Sequence, residues 1–129
     1  MDTLRGLYAA LNRRDFDELL QYLHPDVEVH PAVGGELDFG SVYRGRDGVR
    51  QFIETAWRPF DVAVDPEEII EAPGGRILAV ERWQLRARDG VETELHLTDL
   101  YAFRDGLIVG IDGFREKSEA FEAAGLSEQ

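Results

Sequence analysis

Residues 76–90 read RILAVERWQLRARDG, residues 91–106 VETELHLTDLYAFRDG and residues 107–114 LIVGIDGF. The first two runs end in Asp-Gly, at Asp89-Gly90 and Asp105-Gly106. Asp-Gly between β-prone runs signals a hairpin, because its turn residues must tolerate positive φ. The stretch therefore predicts three antiparallel strands in a meander. Everything earlier in the chain must supply what covers one face of that sheet.

The first Asp-Gly also sets an expected register. If Asp89-Gly90 is a two-residue loop, Arg88 faces Val91, and Gln84, Arg82 and Val80 face Leu95, Leu97 and Asp99. Directly opposed residues share a face. One face then carries Leu78, Val80, Arg82, Gln84, Leu95, Leu97, Asp99, Tyr101 and Phe103. The other carries Ala79, Glu81, Trp83, Leu85, Glu94, His96, Thr98 and Leu100. The first face mixes apolar residues with an acid and a guanidinium, which suits a surface that is part core and part pocket. A slip of one residue would exchange the faces.

Upstream, Leu4, Leu7, Tyr8 and Leu11 keep helical spacing, which predicts a helix over 3–13. Asp15 with Glu18 forms a capping-box pattern before a second short helix that buries Phe16, Leu19, Leu20 and Leu23 and stops at Pro25. Residues 26–31 read as a strand, with Val27 and Val29 on one side and Glu28 and His30 on the other. Residues 32–41 are Gly-rich and read as a loop with a short edge strand at 37–39. Val49, Phe52, Ile53, Ala56, Trp57 and Phe60 mark a third helix, closed by Pro59. Residues 61–72 read as a strand broken near Asp65-Pro66, and 117–124 as a last helix ending at Gly125.

A run of helices followed by a run of strands is an α+β pattern, here one domain over residues 1–129. The expected architecture is a cone. Three N-terminal helices pack in the concave face of a strongly curved, mostly antiparallel sheet, and the open mouth is a place for a ligand. The net charge of −12 argues against nucleic acid and anionic membranes as partners. There is no cysteine, so disulfides and thiolate ligands are excluded. His24, His30 and His96 show no paired-ligand spacing, so no metal is expected, and no cofactor. No signal-type or membrane-length apolar run is present, and the expected location is the cytoplasm.

Several motifs resemble the SnoaL-like group, which includes polyketide cyclases, of the nuclear transport factor 2-like superfamily. They are AALN at 9–12 before the capped helix, HPDVEV at 24–29, YRGRDGV at 43–49, YAFRDGLIV at 101–109 and EAAGL at 122–126. The resemblance implies a small-molecule pocket, and it specifies fold far more than activity. Ketosteroid isomerase, of the same superfamily, places its general base just before a Pro in the first strand; the matching residue is His30. Its second acid matches Asp99, and its oxyanion tyrosine falls at Leu7, beside Tyr8. Limonene epoxide hydrolase would match its Arg to Arg82, but its acids fall at Gln84 and Gly113, so that triad is absent.

The candidate catalytic residues are therefore His30, Asp99 and Arg82. Asp99 in apolar surroundings would stay protonated and donate to a developing oxyanion. Arg82 beside it would instead hold it ionised, as would befit a purely structural pair. His30 would move a proton, or would simply face solvent. Tyr8, Trp57, Gln84, Leu97, Tyr101 and Ile111 are the expected lining. Three functions remain open: a cofactor-free isomerase, cyclase or hydrolase acting on a small hydrophobic metabolite, a non-catalytic binding module, or a dimerising partner protein. In the last, Trp83, Leu85 and His96 form an apolar patch on the outer sheet face and make a homodimer there.

Overall fold

The computed structural model describes residues 2–32, 42–57 and 59–127. The expected Gly-rich loop and edge strand at 37–39 lie outside the described residues. The elements are α1 (Asp2–Asn12), α2 (Phe16–Gln21), β1 (Leu23–His30), β2 (Tyr43–Arg44) and α3 (Gly45–Phe52), which continues as a π-helical turn over Ile53–Trp57. Then come β3 (Phe60–Ala72), β4 (Arg76–Ala87), β5 (Glu92–Arg104), β6 (Leu107–Phe114) and α4 (Lys117–Ala124).

Local chemistry fixes the helices. The apolar stripe of α1 is buried at Leu4, Leu7, Tyr8 and Leu11. Asp15 caps α2 by accepting the Glu18 amide. That helix ends at Gln21, four residues short of Pro25, because Leu23 is already drawn into β1 beside Ile108. Gly125 closes α4 at φ 76°, a left-handed cap that glycine takes without a Cβ penalty.

The sheet order is β2-β1-β6-β5-β4-β3. The neighbours are antiparallel except β1 and β6, which run parallel. The sheet is thus mixed and open, with β2 and β3 as its two edges, and the expected strongly curved cone is not what forms. Helices α1–α3 lie on one side, while α4 covers Leu78 and Leu100 on the other with Ala120, Phe121 and Ala124. The second face is covered only in part.

The β4–β5 register also differs from the expected one. Ala87 pairs with Val91 through its amide, and Gly90 sits at φ 88°. The loop therefore holds three residues, Arg88, Asp89 and Gly90, of the kind that ends in a left-handed glycine. The Asp89 carboxylate accepts the Val91 amide and rigidifies it. Every pair shifts by one: Arg82 faces His96, Glu81 faces Leu97 and Ala79 faces Asp99. The faces of β4 exchange as a result. Ala79, Glu81, Trp83 and Leu85 turn inward, and Arg82, Gln84 and Arg86 turn outward. The second hairpin, at Asp105-Gly106, keeps its two-residue loop, with Arg104 facing Leu107.

The exchange removes the apolar patch on which self-association was expected. Trp83 and Leu85 are buried in the main core. The outer face presents Arg82 bridged to Asp65 and Glu94, and His96 between Glu67 and Glu94.

The edge strand β3 is blunted by α1. Asn12 donates to the Val64 carbonyl at 3.0 Å and accepts its amide at 2.8 Å, as a neighbouring strand would. The same contact fixes the end of α1 against the sheet and so sets the position of Tyr8.

Candidate functional site

Between the helices and the inner sheet face lies a cavity of about 120 Å³. That is below the ~300 Å³ of ordinary ligand clefts and near the ~150 Å³ that admits a benzene ring. One ring fits; a larger ligand must extend through the mouth. The walls are almost wholly apolar. Leu7 and Leu11 come from α1, Val49 and Phe52 from α3, and Leu95, Leu97 and Ile111 from the sheet. Trp57 lies across one end, 5.5 Å from the Trp83 ring and 5.4 Å from Phe52.

Polar chemistry concentrates at one place. Asp99 lines the cavity and is 8% exposed. Its strand neighbours are Ala79 on β4 and Gly113 on β6, so small residues flank it on both sides. A Cβ on Gly113 would stand 3.1 Å from the Asp99 carboxyl and 2.8 Å from the Ala32 amide nitrogen. The missing side chain is what leaves the carboxyl its room.

Behind the wall stands Glu81, fully buried. Its Oε2 accepts the Tyr8 hydroxyl in a very short hydrogen bond and the Tyr101 hydroxyl at 2.6 Å. Its Oε1 accepts the Trp83 indole N–H at 3.0 Å. The Tyr101 hydroxyl is also 3.4 Å from Asp99 Oδ2. The Tyr8 and Tyr101 rings meet edge to face at 6.4 Å. Four aromatic and acidic side chains from α1, β4 and β5 thus converge on one buried carboxylate.

The electrostatics follow from burial. Asp99 is pushed well above the usual carboxylate range, first by loss of water and then by the negative charge of Glu81, with which it also hydrogen-bonds; Asp112 adds a smaller push. Tyr8 and Tyr101 are raised for the same two reasons, so both hydroxyls keep their protons. A protonated carboxyl in an apolar cavity is a hydrogen-bond donor.

The other expected site residues are placed as follows. Arg82 and Gln84 face outward, away from Asp99, since the three-residue loop carries them to the opposite face. The anticipated Asp99–Arg82 pair is therefore absent, and with it the guanidinium that would have held Asp99 ionised. His30 belongs to the mouth together with Pro31 and Ala32. Its imidazole is half exposed and bonds Glu28 at 2.7 Å, because Val27 and Val29 take the core side of β1. That bond holds the Glu28 carboxyl below its ordinary value. Tyr8, Trp57, Leu97, Tyr101 and Ile111 line the cavity. Glu81 was not foreseen. The signal was available in the inward set Ala79, Trp83 and Leu85, which places the acid at 81 among apolar residues once the tryptophan is taken as core.

Among the described residues no group of three His, Cys, Asp or Glu side chains is placed to hold a metal ion. No described helix is long and apolar enough to cross a membrane.

Comparison with known proteins gives the fold its relatives. The sequence pattern of the SnoaL-like domain matches residues 4–111. No protein of curated function matches the chain. Among solved structures, a nuclear transport factor 2-like protein of unknown function from Burkholderia pseudomallei is 27% identical, with a TM-score of 0.78, over 96% of this chain and 95% of that one. The likeness establishes the α+β nuclear transport factor 2-like fold with its mixed, open sheet. A Δ5-3-ketosteroid isomerase from a Mycobacterium species is 18% identical, TM-score 0.77, over 92% and 93% of the two chains. A Mycobacterium tuberculosis protein solved with estradiol-17β-hemisuccinate is 19% identical, TM-score 0.78, over 90% and 92%. At those identities both show shared fold alone.

Proposed function

The chain belongs to the SnoaL-like domain family, and from that premise we propose that it binds a hydrophobic small molecule by one ring. We propose further that it acts on that molecule by acid–base chemistry without a cofactor, as an isomerase or cyclase does. The observation that carries this reading is the buried Asp99 at the wall of an apolar cavity, where loss of water and the neighbouring Glu81 push its carboxyl well above the ordinary range. A carbonyl oxygen entering the cavity accepts the Asp99 hydrogen in place of Glu81. When a proton leaves the adjacent carbon, the C–H electron pair forms the enol double bond and the carbonyl π pair moves onto oxygen. Asp99 stabilises that oxygen, and a donor at a developing oxyanion is worth ~2.7–4 kcal/mol of barrier. The proton's carrier is His30, which borders the cavity and must exchange Glu28 for the carbon next to that carbonyl. Return of the proton at a second carbon completes an isomerisation; attack of the enol carbon on a second carbonyl, whose π pair moves onto its oxygen and takes the proton back from His30 as the first carbonyl reforms, completes a cyclisation.

A second reading, a non-catalytic binding module, draws on the half-exposed His30 already engaged by Glu28. One experiment separates the two. A library of cyclic ketones, terpenes and aromatic polyketides is screened by thermal shift, since a ligand bound only by the folded state stabilises it. Turnover of each hit is then compared in the wild type, Asp99→Asn and His30→Ala. Catalysis requires hits that are converted by the wild type and bound but not converted by Asp99→Asn. Conversion unaffected by both substitutions would reject the assignment, and binding without conversion leaves the module.

A further inference from the structure

The chain's two tryptophans meet at one end of the cavity, with ring centroids 5.5 Å apart, and the structure holds them differently. Trp83 is 8% exposed, and its indole N–H donates to Glu81 Oε1 at 3.0 Å. Trp57 is partly exposed, and among the described residues only rings hold it: Phe52 at 5.4 Å, Phe16 at 6.5 Å and Trp83 itself. It stands on the π-helical turn Ile53–Trp57, a rare form that concentrates at functional sites. Its neighbour Trp83 pairs with Leu95, four residues along β5 from Asp99. At the ~3.3 Å rise of a strand that is roughly 13 Å. The two rings therefore close the end of the cavity away from Asp99, and Trp57 is the one that stands between the cavity and water.

We propose that Trp57 is the specificity-determining residue of the cavity: its indole is the wall that limits a ligand, at that end, to a single ring. The inference rests on the reading of the cavity as a one-ring site and says which side chain makes it so. The ligand class is a monocyclic hydrophobe, or a larger one whose further rings leave by the mouth and not past Trp57. An indole is itself a flat fused bicycle, so its removal opens a slot of that shape in line with the cavity. A fused bicyclic ligand then buries more apolar surface than a single ring can, and gains affinity in proportion. Trp57 holds no hydrogen bond among the described residues, so its loss leaves no buried polar partner unmet. Trp83 is no such wall, because cutting it back would take a donor from the buried Glu81.

The test is calorimetry on the wild type and Trp57→Ala with benzene and naphthalene as the probes. The ratio of naphthalene affinity to benzene affinity should rise about tenfold or more in the variant, since naphthalene fills the vacated slot and benzene does not. Leu4→Ala is the control: it cuts the fully buried core at a residue that does not border the cavity, and it should leave the ratio where it is. An unchanged ratio in Trp57→Ala, or an equal rise in Leu4→Ala, would overturn the inference. If Trp57→Ala does not fold, Trp57→Phe decides. It keeps a ring against Phe52 and Trp83 but shortens the wall, and it should move the ratio in the same direction; no movement there overturns the inference as well. Naphthalene bound by Trp57→Ala, with neither probe bound by the wild type, would sink the one-ring reading and leave Trp57 as the wall. Neither probe bound by either protein would remove both.

Discussion

Replacement of Asp99 by Asn should make the protein more stable as pH rises, and by an amount that grows with pH. Asp99 has its pKa raised in the folded state by burial and by Glu81. In the unfolded chain it titrates near the ordinary ~3.9. Below that value both states hold the proton and the side chain is neutral throughout. Above it the unfolded chain releases the proton while the folded protein keeps it, so the unfolded state binds one proton fewer. Stability contributed by this site then falls by about 1.4 kcal/mol per pH unit. The fall ends once pH passes the folded pKa, where both states are ionised. Asn keeps the shape and has no proton to lose, so the variant lacks this slope.

The assay is a pair of denaturation series, wild type and Asp99→Asn, at pH 5 and pH 6. The comparison cancels the titrating groups that do not interact with Asp99; Glu81, which does, titrates together with it, so the slope belongs to the pair. Asp99→Asn should gain about 1.4 kcal/mol on wild type over that unit, or roughly 5 °C in melting temperature for a domain of this size. Parallel curves would refute the reasoning, because they would mean that Asp99 has already lost its proton in the folded protein by pH 5.

Three further outcomes are expected. Tyr101→Phe removes one donor from the buried Glu81 and should cost about 1–3 kcal/mol by chemical denaturation; a change under 0.5 kcal/mol, roughly the neutral range for a surface substitution, would contradict the network. Asn12→Ala strips two hydrogen bonds from the edge of β3 and should cost about 1–3 kcal/mol, with faster amide exchange at Val64. Gly113→Ala forces a methyl against the Ala32 amide and the Asp99 carboxyl and should cost about 1–3 kcal/mol by chemical denaturation; an unchanged stability would contradict the close approach.

Much of this was legible in the chain, and what was not failed for one local reason and one long-range one. Helices α1 and α2 follow from apolar spacing and a capping acid, and α4 from a terminal glycine, because these signals act within a few residues. The break expected near Asp65-Pro66 is the register shift between Pro66 and Glu68. The β5 face was also legible: Leu95, Leu97, Asp99 and Tyr101 share the inner side. The β4 face was not, since the identity of that face turns on whether Arg88 belongs to the strand or to the loop. One residue decided it, and with it the fates of Arg82, Gln84, Glu81 and Trp83. The bulk of Trp83 and Leu85, against the charges of Arg82 and Arg86, was the better guide to the inward side. The parallel pairing of β1 with β6 joins residues far apart in sequence and has no short-range signal. His30 shows the opposite lesson: plain alternation with Val27 and Val29 turns it from the core side of β1, and it is half exposed while still bordering the cavity.

The account stands on Asp99 being a neutral acid at the cavity wall. Isotope-edited infrared spectroscopy at pH 6 reads this directly, since a protonated aspartic carboxyl and a carboxylate absorb at different frequencies. With 13C-labelled aspartate, the folded wild type should show one protonated aspartic band that Asp99→Asn abolishes. A spectrum holding only ionised aspartates at that pH would contradict the account.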